Sequence, residues 1–129
     1  MVVDNISNLI ISLKNAATAG KDYLRVPATK MNVSILNVLK ENNFITDFSQ
    51  KDKEAKDIKV VLKYEDGVAV ITDVKRISKN SKRVYQSSKE IKNVRRGYGI
   101  SVISTPNGVL SGSVARDQKV GGELLFEIW

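Results

Sequence analysis

The sequence contains neither cysteine nor histidine, and the two absences narrow the chemistry that the chain can perform. Without cysteine, it can form no disulfide bond and no thiolate metal site. Without histidine, it lacks the commonest general base and the commonest protein ligand for a metal ion. We therefore expect a protein that is not an enzyme and that needs no cofactor or metal.

Long apolar runs are also missing. No stretch approaches the roughly 20 apolar residues that a membrane-spanning helix needs. Polar residues interrupt the apolar ones between Asp4 and Ser12, and no basic segment precedes them, so the pattern of a signal peptide is missing. The basic residues further along are separated by turn signals, which disfavours binding to a membrane surface. We expect a soluble, intracellular chain without a membrane partner.

Positive charge is concentrated in one segment, from Lys75 to Arg96. This segment holds nine basic side chains and one acidic one, Glu90, and so carries +8, whereas the whole chain carries +7. A strongly basic segment in a near-neutral body indicates a surface that binds a polyanion, and an isoelectric point near 9.7 favours nucleic acid. The basic residues are Lys75, Arg76, Lys79, Lys82, Arg83, Lys89, Lys92, Arg95 and Arg96.

The first third of the chain has the hydrophobic period of helices. Apolar residues recur at helical spacing over 5–19 and again over about 29–41, and each segment is predicted to be a helix. Between them, a short extended segment over 23–26 ends before Pro27, because a proline disfavours helical backbone in the residue before it. The chain is therefore predicted to begin as helix, strand and helix.

From residue 44 onwards, the period changes to that of strands. Strands are predicted over 44–48, 58–64 and 68–74, with Asp66-Gly67 as a hairpin turn and an exposed loop over 49–57. Beyond residue 75, the predicted elements are an extended piece over 83–85, one helical turn from the capping-box sequence of 87–90 through Val94, a strand over 100–103, a tight loop over 104–108, a weak helix over 111–119 and a last strand over 123–129.

Helices near the beginning and strands in the rest predict an α+β fold. The length of 129 residues is enough for one domain or two small ones. We place a boundary where the basic segment begins. Residues 1–74 are predicted to form a small α/β N-terminal domain, and residues 75–129 a mainly β C-terminal domain.

Five short motifs occur in an order that is specific to one family. They are Lys75-Arg76-Ile77-Ser78-Lys79, Arg83-Val84-Tyr85, Gly97-Tyr98-Gly99-Ile100, Ser104-Thr105-x-x-Gly108-Val109 and Val120-Gly121-Gly122-Glu123. Each motif alone is weak, but the five in this order are strong. By them the chain resembles bacterial small-subunit ribosomal protein eight over essentially its full length. The helix after Asp4 and the Pro27-x-x-Lys30 segment fit the family more loosely.

The resemblance implies a noncatalytic protein with two small domains, α/β and then mainly β. It implies a structural constituent of the small ribosomal subunit that is a primary binder of the central domain of the small-subunit ribosomal RNA and helps to assemble the platform. The partners it implies are that RNA and neighbouring small-subunit proteins, and the chain is expected to be monomeric outside the ribosome. The ribosome is expected to be cytoplasmic, with an organellar one left open. The alternative is a general nucleic-acid-binding protein outside the ribosome.

Several residues are candidates for contacts with RNA. A-form RNA presents 2′-hydroxyls in a shallow groove, and the hydroxyls of Ser104 and Thr105 on a tight loop suit that surface. Tyr85, among cations, can stack on a base or sugar. With the family's motifs carried over, the candidates are Lys30, Lys75, Arg76, Lys79, Arg83, Tyr85, Arg95, Ser104, Thr105, Asn107, Gly108, Gly121, Gly122 and Glu123.

Each of these candidates has a simpler structural interpretation. The 104–108 loop could be a polar turn that joins two strands, Tyr85 a core residue and Lys30 an ordinary exposed lysine. Glu123 could orient a neighbouring arginine, accept from a base amino group or lower non-specific binding, and the sequence does not choose among these. Gly97-Tyr98-Gly99 lacks the third glycine of a nucleotide-binding loop and is interpreted as a bulge or a close strand contact.

The chain departs from the family pattern in and after the predicted loop. The family loop usually reads Ser-Thr-Ser-Lys-Gly, and here Pro106 and Asn107 occupy its third and fourth positions. The next helix usually begins Thr-Asp and carries a glutamate, but this chain has Ser111, Gly112 and Val114 there. Lys119 replaces the glycine that usually ends that helix. These changes weaken the transfer of roles to individual loop residues.

Three other functions fit the sequence less well. A nuclease or RNA-modifying enzyme needs clustered carboxylates or a base beside a nucleophile, and Asp66, Asp73, Asp117 and Glu123 are scattered. A DNA-binding protein would present a recognition helix or a minor-groove arm, and neither stands out. A protein–protein module with an incidental basic face would bind its partner without strong dependence on salt.

Overall fold

The computed structural model describes residues 4–51 and 54–129 and has an α+β fold, as predicted. The chain divides into two compact units. One unit is Ile6–Thr72, and the other contains Asp73–Trp129 together with the described residues before Ile6. Each unit has its own antiparallel sheet.

The unit Ile6–Thr72 contains two helices and a three-stranded antiparallel sheet in the order β1-β3-β2. Ile58, Val60 and Leu62 of the central strand are buried and alternate with more exposed residues, as the strand period predicts. The elements are α1 (Asn5–Thr18), β1 (Tyr23–Pro27), α2 (Lys30–Glu41), β2 (Ile45–Gln50), β3 (Asp57–Leu62), β4 (Tyr64–Glu65) and β5 (Val68–Ala69).

Both predicted helices are confirmed within a residue or two of their predicted ends. One face of α1 is buried through Leu9, Ile10 and Leu13, at the spacing that predicted it. At the start of α2, the Thr29 hydroxyl accepts a hydrogen bond from the Asn32 amide at 3.1 Å and so acts as the N-cap.

The predicted strand over 68–74 is wrong beyond Ala69. The hairpin turn at Asp66-Gly67 is present, with φ angles of 52° and 77° that a tight primed turn requires. Only two residue pairs follow it, Tyr64 with Ala69 and Glu65 with Val68. Val74 instead pairs with Ile128 in the other unit's sheet, so the chain leaves the hairpin to supply a strand there.

The unit that contains Asp73–Trp129 is built on a five-stranded antiparallel sheet whose central strand is β10. The strand order is β6-β10-β8-β9, and β7 also pairs with β10. Its elements are β6 (Val74–Arg76), β7 (Tyr85–Gln86), β8 (Ile100–Thr105), β9 (Gly108–Ser111), α3 (Gly112–Asp117) and β10 (Gly122–Ile128), with 3₁₀ turns at Ser88–Glu90 and Arg95–Gly97.

The alternation of faces that a regular strand shows fails at Leu125 of β10. Leu124, Leu125 and Phe126 are all buried, although three consecutive strand residues ordinarily alternate between faces. The cause is a β-bulge between Leu124 and Phe126, where β10 shifts register against β8. The bulge gives the core one more apolar side chain than a regular strand would supply.

Two further predictions need correction. The capping box at Ser87 and Glu90 is present, with the Ser87 amide donating to Glu90 Oε1 at 2.9 Å, but it begins a 3₁₀ turn of three residues that does not continue to Val94. The strand β9 was not predicted.

The weak helix predicted over 111–119 is present as α3, and the Ser111 hydroxyl accepts from the Val114 amide at 3.5 Å as its N-cap.

Candidate RNA interface

A cleft of about 580 Å³ lies where β7, the end of β8 and the start of β10 meet. Six of the predicted site residues line it together, although they are separated by as many as 38 positions in the chain. They are Tyr85, Ser104, Thr105, Gly121, Gly122 and Glu123. Gln86, Ser87, Glu90 and Pro106 complete the lining and were not predicted.

Strand register explains how these residues come together. Glu123 of β10 is paired with Tyr85 of β7 on one side and with Ser104 of β8 on the other. Side chains of directly paired residues project from the same face of an antiparallel sheet. Tyr85, Glu123 and Ser104 therefore form one row across three strands, with about 10 Å between the outer two backbones.

Two glycines let the strands approach at the floor of the cleft. A Cβ atom on Gly122 would overlap the carbonyl oxygen of Ser104, and one on Gly121 would overlap the carbonyl oxygen of Gln86. Both neighbours are backbone atoms, which cannot rotate away as a side chain can. Gly121 and Gly122 are thus needed for the strand contacts that form the cleft, whatever else they touch.

Glu123 is held by a hydrogen-bond network. Its Oε2 atom accepts from the Ser78 hydroxyl and, at 2.9 Å, from Nη1 of Arg83. Burial acts to raise the pKa of Glu123, but the hydrogen bonds from Ser78 and Arg83 and the positive charges of Arg83 and Arg76 outweigh it and lower the pKa below its ordinary value. Glu123 is therefore ionised at neutral pH and orients a neighbouring arginine, one of the roles that the sequence left open.

Ser78 belongs to the Lys75–Lys79 motif but was not among the predicted site residues, yet it lies at the centre of this network. It is fully buried, and its hydroxyl also accepts from the Val84 amide at 3.2 Å. The contacts of Ser78 join residues 45 positions apart, and no local spacing in the sequence indicates such a pairing. Only the folded sheet identifies Ser78 as a support of the site.

Arg83 is tethered but accessible. Its guanidinium donates to Glu123 and, through Nη2, to Oδ1 of Asn80 at 3.1 Å, while half of the side chain stays exposed. The hydrogen bond to Glu123 raises the pKa of Arg83 further above its ordinary value. These two bonds use two of the five guanidinium N–H groups. Arg83 therefore presents a fixed positive charge beside the cleft, with three donors left for a ligand.

The hydroxyl of Thr105 is engaged within the hairpin between β8 and β9. It donates to the Gly108 carbonyl at 2.8 Å and accepts from the Asn107 amide at 3.1 Å. The Asn107 side chain donates to Gln118 Oε1 at 3.0 Å, and Gly108 has a φ of 104°, which favours glycine. These hydrogen bonds support the structural interpretation of the loop, and contact of Thr105, Asn107 and Gly108 with RNA stays a prediction.

Ser104 and Tyr85 are freer than the loop residues. The Ser104 hydroxyl makes no hydrogen bond to any other residue that the structure describes, so both its donor and its acceptor positions are open toward the cleft. Tyr85 is 68% exposed, which excludes the core position that strand alternation had left open. An accessible ring, a free hydroxyl and a fixed guanidinium thus occur together.

The other predicted residues lie outside the cleft. Lys75 on β6 and Lys79 in the turn that follows are exposed. The Arg76 guanidinium is turned inward, to Asp4 at 3.2 Å and to the Leu125 carbonyl at 2.5 Å. Arg95 lies over the Trp129 ring at 4.2 Å. Lys30 is the first residue of α2, in the unit Ile6–Thr72, and is exposed.

The described part of the chain contains neither a metal-binding cluster nor a membrane-spanning helix. Over residues 4–51 and 54–129, no three carboxylate side chains converge in a group that could hold a metal ion. Among the helices formed by those same residues, none has the length and apolar character needed to cross a bilayer.

The two-unit α+β fold, with a polar cleft beside an arginine, defines a small basic protein of mixed architecture. The chain belongs to the family described as Ribosomal protein S8, whose model matches residues 4–129. This confirms the resemblance found in the sequence.

Three relatives illustrate the similarity, and each is named small ribosomal subunit protein uS8. The protein of Nitratidesulfovibrio vulgaris (strain DSM 19637 / Miyazaki F) is 43% identical over 129 residues, covering 100% of both chains. Those of Caulobacter sp. (strain K31) and Bradyrhizobium sp. (strain ORS 278) are each 41% identical over 128 residues, covering 98% of this chain and 97% of theirs.

Proposed function

We propose that this chain is a structural constituent of the small ribosomal subunit that binds the central domain of the small-subunit ribosomal RNA and helps to assemble the subunit platform. The observation that carries the proposal is the row of Tyr85, Glu123 and Ser104 across three strands, with Arg83 tethered beside it. The names of the full-length relatives support a place in the small subunit.

The row suits an irregular RNA helix. The free hydroxyl of Ser104 can donate to and accept from a ribose 2′-hydroxyl in the shallow groove of an A-form helix. The exposed ring of Tyr85 can stack on a base that an irregularity leaves unpaired. Arg83 can pair with a phosphate through its remaining donors, while Glu123 holds its guanidinium in place.

Contacts to phosphate would supply affinity and orientation rather than choice of sequence. The exposed Lys75 and Lys79 suit this role, and Lys30 would contribute from the N-terminal domain. Within this proposal, residues 75–129 form the RNA-binding domain and residues 1–74 the α/β domain. The protein would be monomeric before assembly, would contact neighbouring small-subunit proteins in the cytoplasmic ribosome, and would carry out no catalysis.

Competition binding tests this proposal. A hairpin transcribed from the central domain of the ribosomal RNA should bind the full chain and resist excess duplex DNA. Ser104→Ala should weaken that binding about fivefold, because one hydrogen bond is worth about 1 kcal/mol, and should leave the salt dependence unchanged since no phosphate contact is lost. Ser113→Ala, an exposed serine of α3, is the matched control and should bind normally.

Equal competition by duplex DNA would contradict the proposal and favour a general nucleic-acid-binding protein. Thr105→Val should also weaken binding, but with a loss of thermal stability, because the hydroxyl joins Asn107 and Gly108 across the turn. Comparing the two variants separates direct contact with RNA from support of the loop.

A further inference from the structure

An exposed tyrosine occupies a turn that is not part of the cleft. Tyr98 is 86% exposed, more than the 68% of Tyr85. It lies between Gly97 and Gly99, in the motif that the sequence explained only as a bulge or a strand contact. A single exposed ring is common on protein surfaces, so the role of Tyr98 depends on the backbone and the charges around it.

The backbone before Tyr98 is held in an unusual conformation. Arg95, Arg96 and Gly97 have φ angles of 49°, 55° and 91°, all in the left-handed region. Glycine adopts this region freely, but two consecutive arginines there are strained, and such strain persists only where the surroundings enforce it. Strained positions of this kind concentrate at functional sites, so the exposed side chains of this turn are candidates for binding a ligand.

The surroundings do enforce the turn. The amides of Gly97 and Gly99 both donate to the Val94 carbonyl, at 3.0 and 3.1 Å. Gly99 packs so closely that a Cβ atom there would lie 2.7 Å from the Ile128 carbonyl oxygen and 2.9 Å from Cβ of Trp129. Arg95 lies over the Trp129 ring, 4.2 Å from its centroid. The turn is thus rigid, and Tyr98 projects from a fixed base.

Charge identifies the partner that this turn suits. The segment from Lys92 to Gly99 contains Lys92, Arg95 and Arg96 and no acidic residue, and all three cations are exposed. An exposed aromatic ring among cations is the arrangement that binds unpaired nucleotides, with the base stacked on the ring and the phosphates neutralised. An acidic protein segment would satisfy the cations but would leave the ring without a planar partner.

We propose that the turn of Arg95–Tyr98 is a second RNA contact, in which Tyr98 stacks on an unpaired base and Arg96 neutralises an adjacent phosphate. The inference rests on the proposed function, because it takes structured ribosomal RNA as the ligand. It adds a contact beyond the cleft, since Tyr98 is not among the residues that line the cleft.

The test uses the full chain and a complete transcript of the small-subunit ribosomal RNA that contains 5-iodouridine. Irradiation should crosslink the RNA to the peptide that contains Tyr98. Tyr98→Leu should lower the affinity for the transcript by about 5- to 150-fold, the range expected for loss of one stacked base. Tyr98→Phe keeps the ring and should retain most of the affinity. Fluorescence of Trp129, the one tryptophan of the chain, checks that each variant keeps the turn.

The outcomes are distinguishable. If Tyr98→Leu binds like the unmodified chain and no crosslink forms at Tyr98 while Ser104→Ala still weakens binding, the second contact is rejected and the proposed function stands. If the unmodified chain ignores the transcript, both are rejected. If Tyr98 becomes protected from chemical modification only when other small-subunit proteins are added, the turn contacts protein and the RNA contact is rejected.

Discussion

At the scale of single residues, Glu123 has the clearest consequence for stability. Its side chain is 16% exposed and accepts hydrogen bonds from Ser78 and Arg83. The carboxylate pairs across the sheet with Arg83 of the basic segment, so its removal leaves Arg83 without the group that orients it. The acid is therefore both a structural support and a positioning residue for the arginine.

Glu123→Gln should destabilise the chain by about 1–2 kcal/mol at pH 7, because charge-assisted hydrogen bonds become neutral ones. The folded pKa of Glu123 is below its unfolded value of 4.5, so the contribution of the carboxylate is complete above that pH and is lost as pH falls through the folded pKa. Urea denaturation from pH 7 to pH 3 should show the variant and the parent converging in stability. Glu127→Gln on the same strand is the control, and equal effects from both variants would contradict the argument.

At the scale of elements, the sequence correctly predicted the helices, strands and turns that depend on local hydrophobic period. Helices α1 and α2, strand β3 and the turn at Asp66-Gly67 follow from spacing and turn chemistry within a few residues. The break after Ala69 and the bulge at Leu125 depend on pairing between distant segments, Val74 with Ile128 and Phe126 with Val102. No window of neighbouring residues contains that information.

The candidate site divides in the same way. The order of the family motifs identified Tyr85, Ser104 and Glu123 as candidates. Only the register of β7, β10 and β8 shows that they form one row. Ser78 was not predicted because its buried hydroxyl donates across the sheet to Glu123, which lies far along the chain. Conversely, Arg76 was predicted to contact RNA because of its charge. Its position in the basic segment does not indicate that its guanidinium is turned inward to the Leu125 carbonyl.

Gly122→Ala tests whether close strand approach is needed for the cleft. The added methyl group would overlap the Ser104 carbonyl, so β10 and β8 must separate, and we expect a loss of about 2–3 kcal/mol of stability with weaker binding of the RNA hairpin. Gly67→Ala is the control. It lies in open space at a φ of 77° and should cost about 1 kcal/mol without affecting RNA binding. Thermal denaturation and hairpin titration measure both, and normal binding by Gly122→Ala would show that the cleft tolerates separated strands.

At the scale of the whole molecule, the +8 of the basic segment overstates the charge available to a ligand. Arg76 is paired inside its unit with Asp4, and Arg95 covers the Trp129 ring. Cations already engaged in this way release fewer counterions on binding than free surface lysines do. The dependence of RNA affinity on salt should therefore be smaller than nine phosphate contacts would give.

Two arginine variants separate the charge that binds from the charge that supports the fold. Arg83→Ala should reduce the slope of log affinity against log salt concentration by about one, because its half-exposed guanidinium has donors free for a phosphate. Arg76→Ala should leave that slope unchanged and instead lower the unfolding temperature, because its side chain is only 12% exposed and bonds to Asp4 and Leu125. Filter binding of the hairpin over a range of potassium chloride concentrations gives the slopes. An unchanged slope for Arg83→Ala would mean that the basic segment attracts RNA through its lysines, with Arg83 facing solvent in the complex.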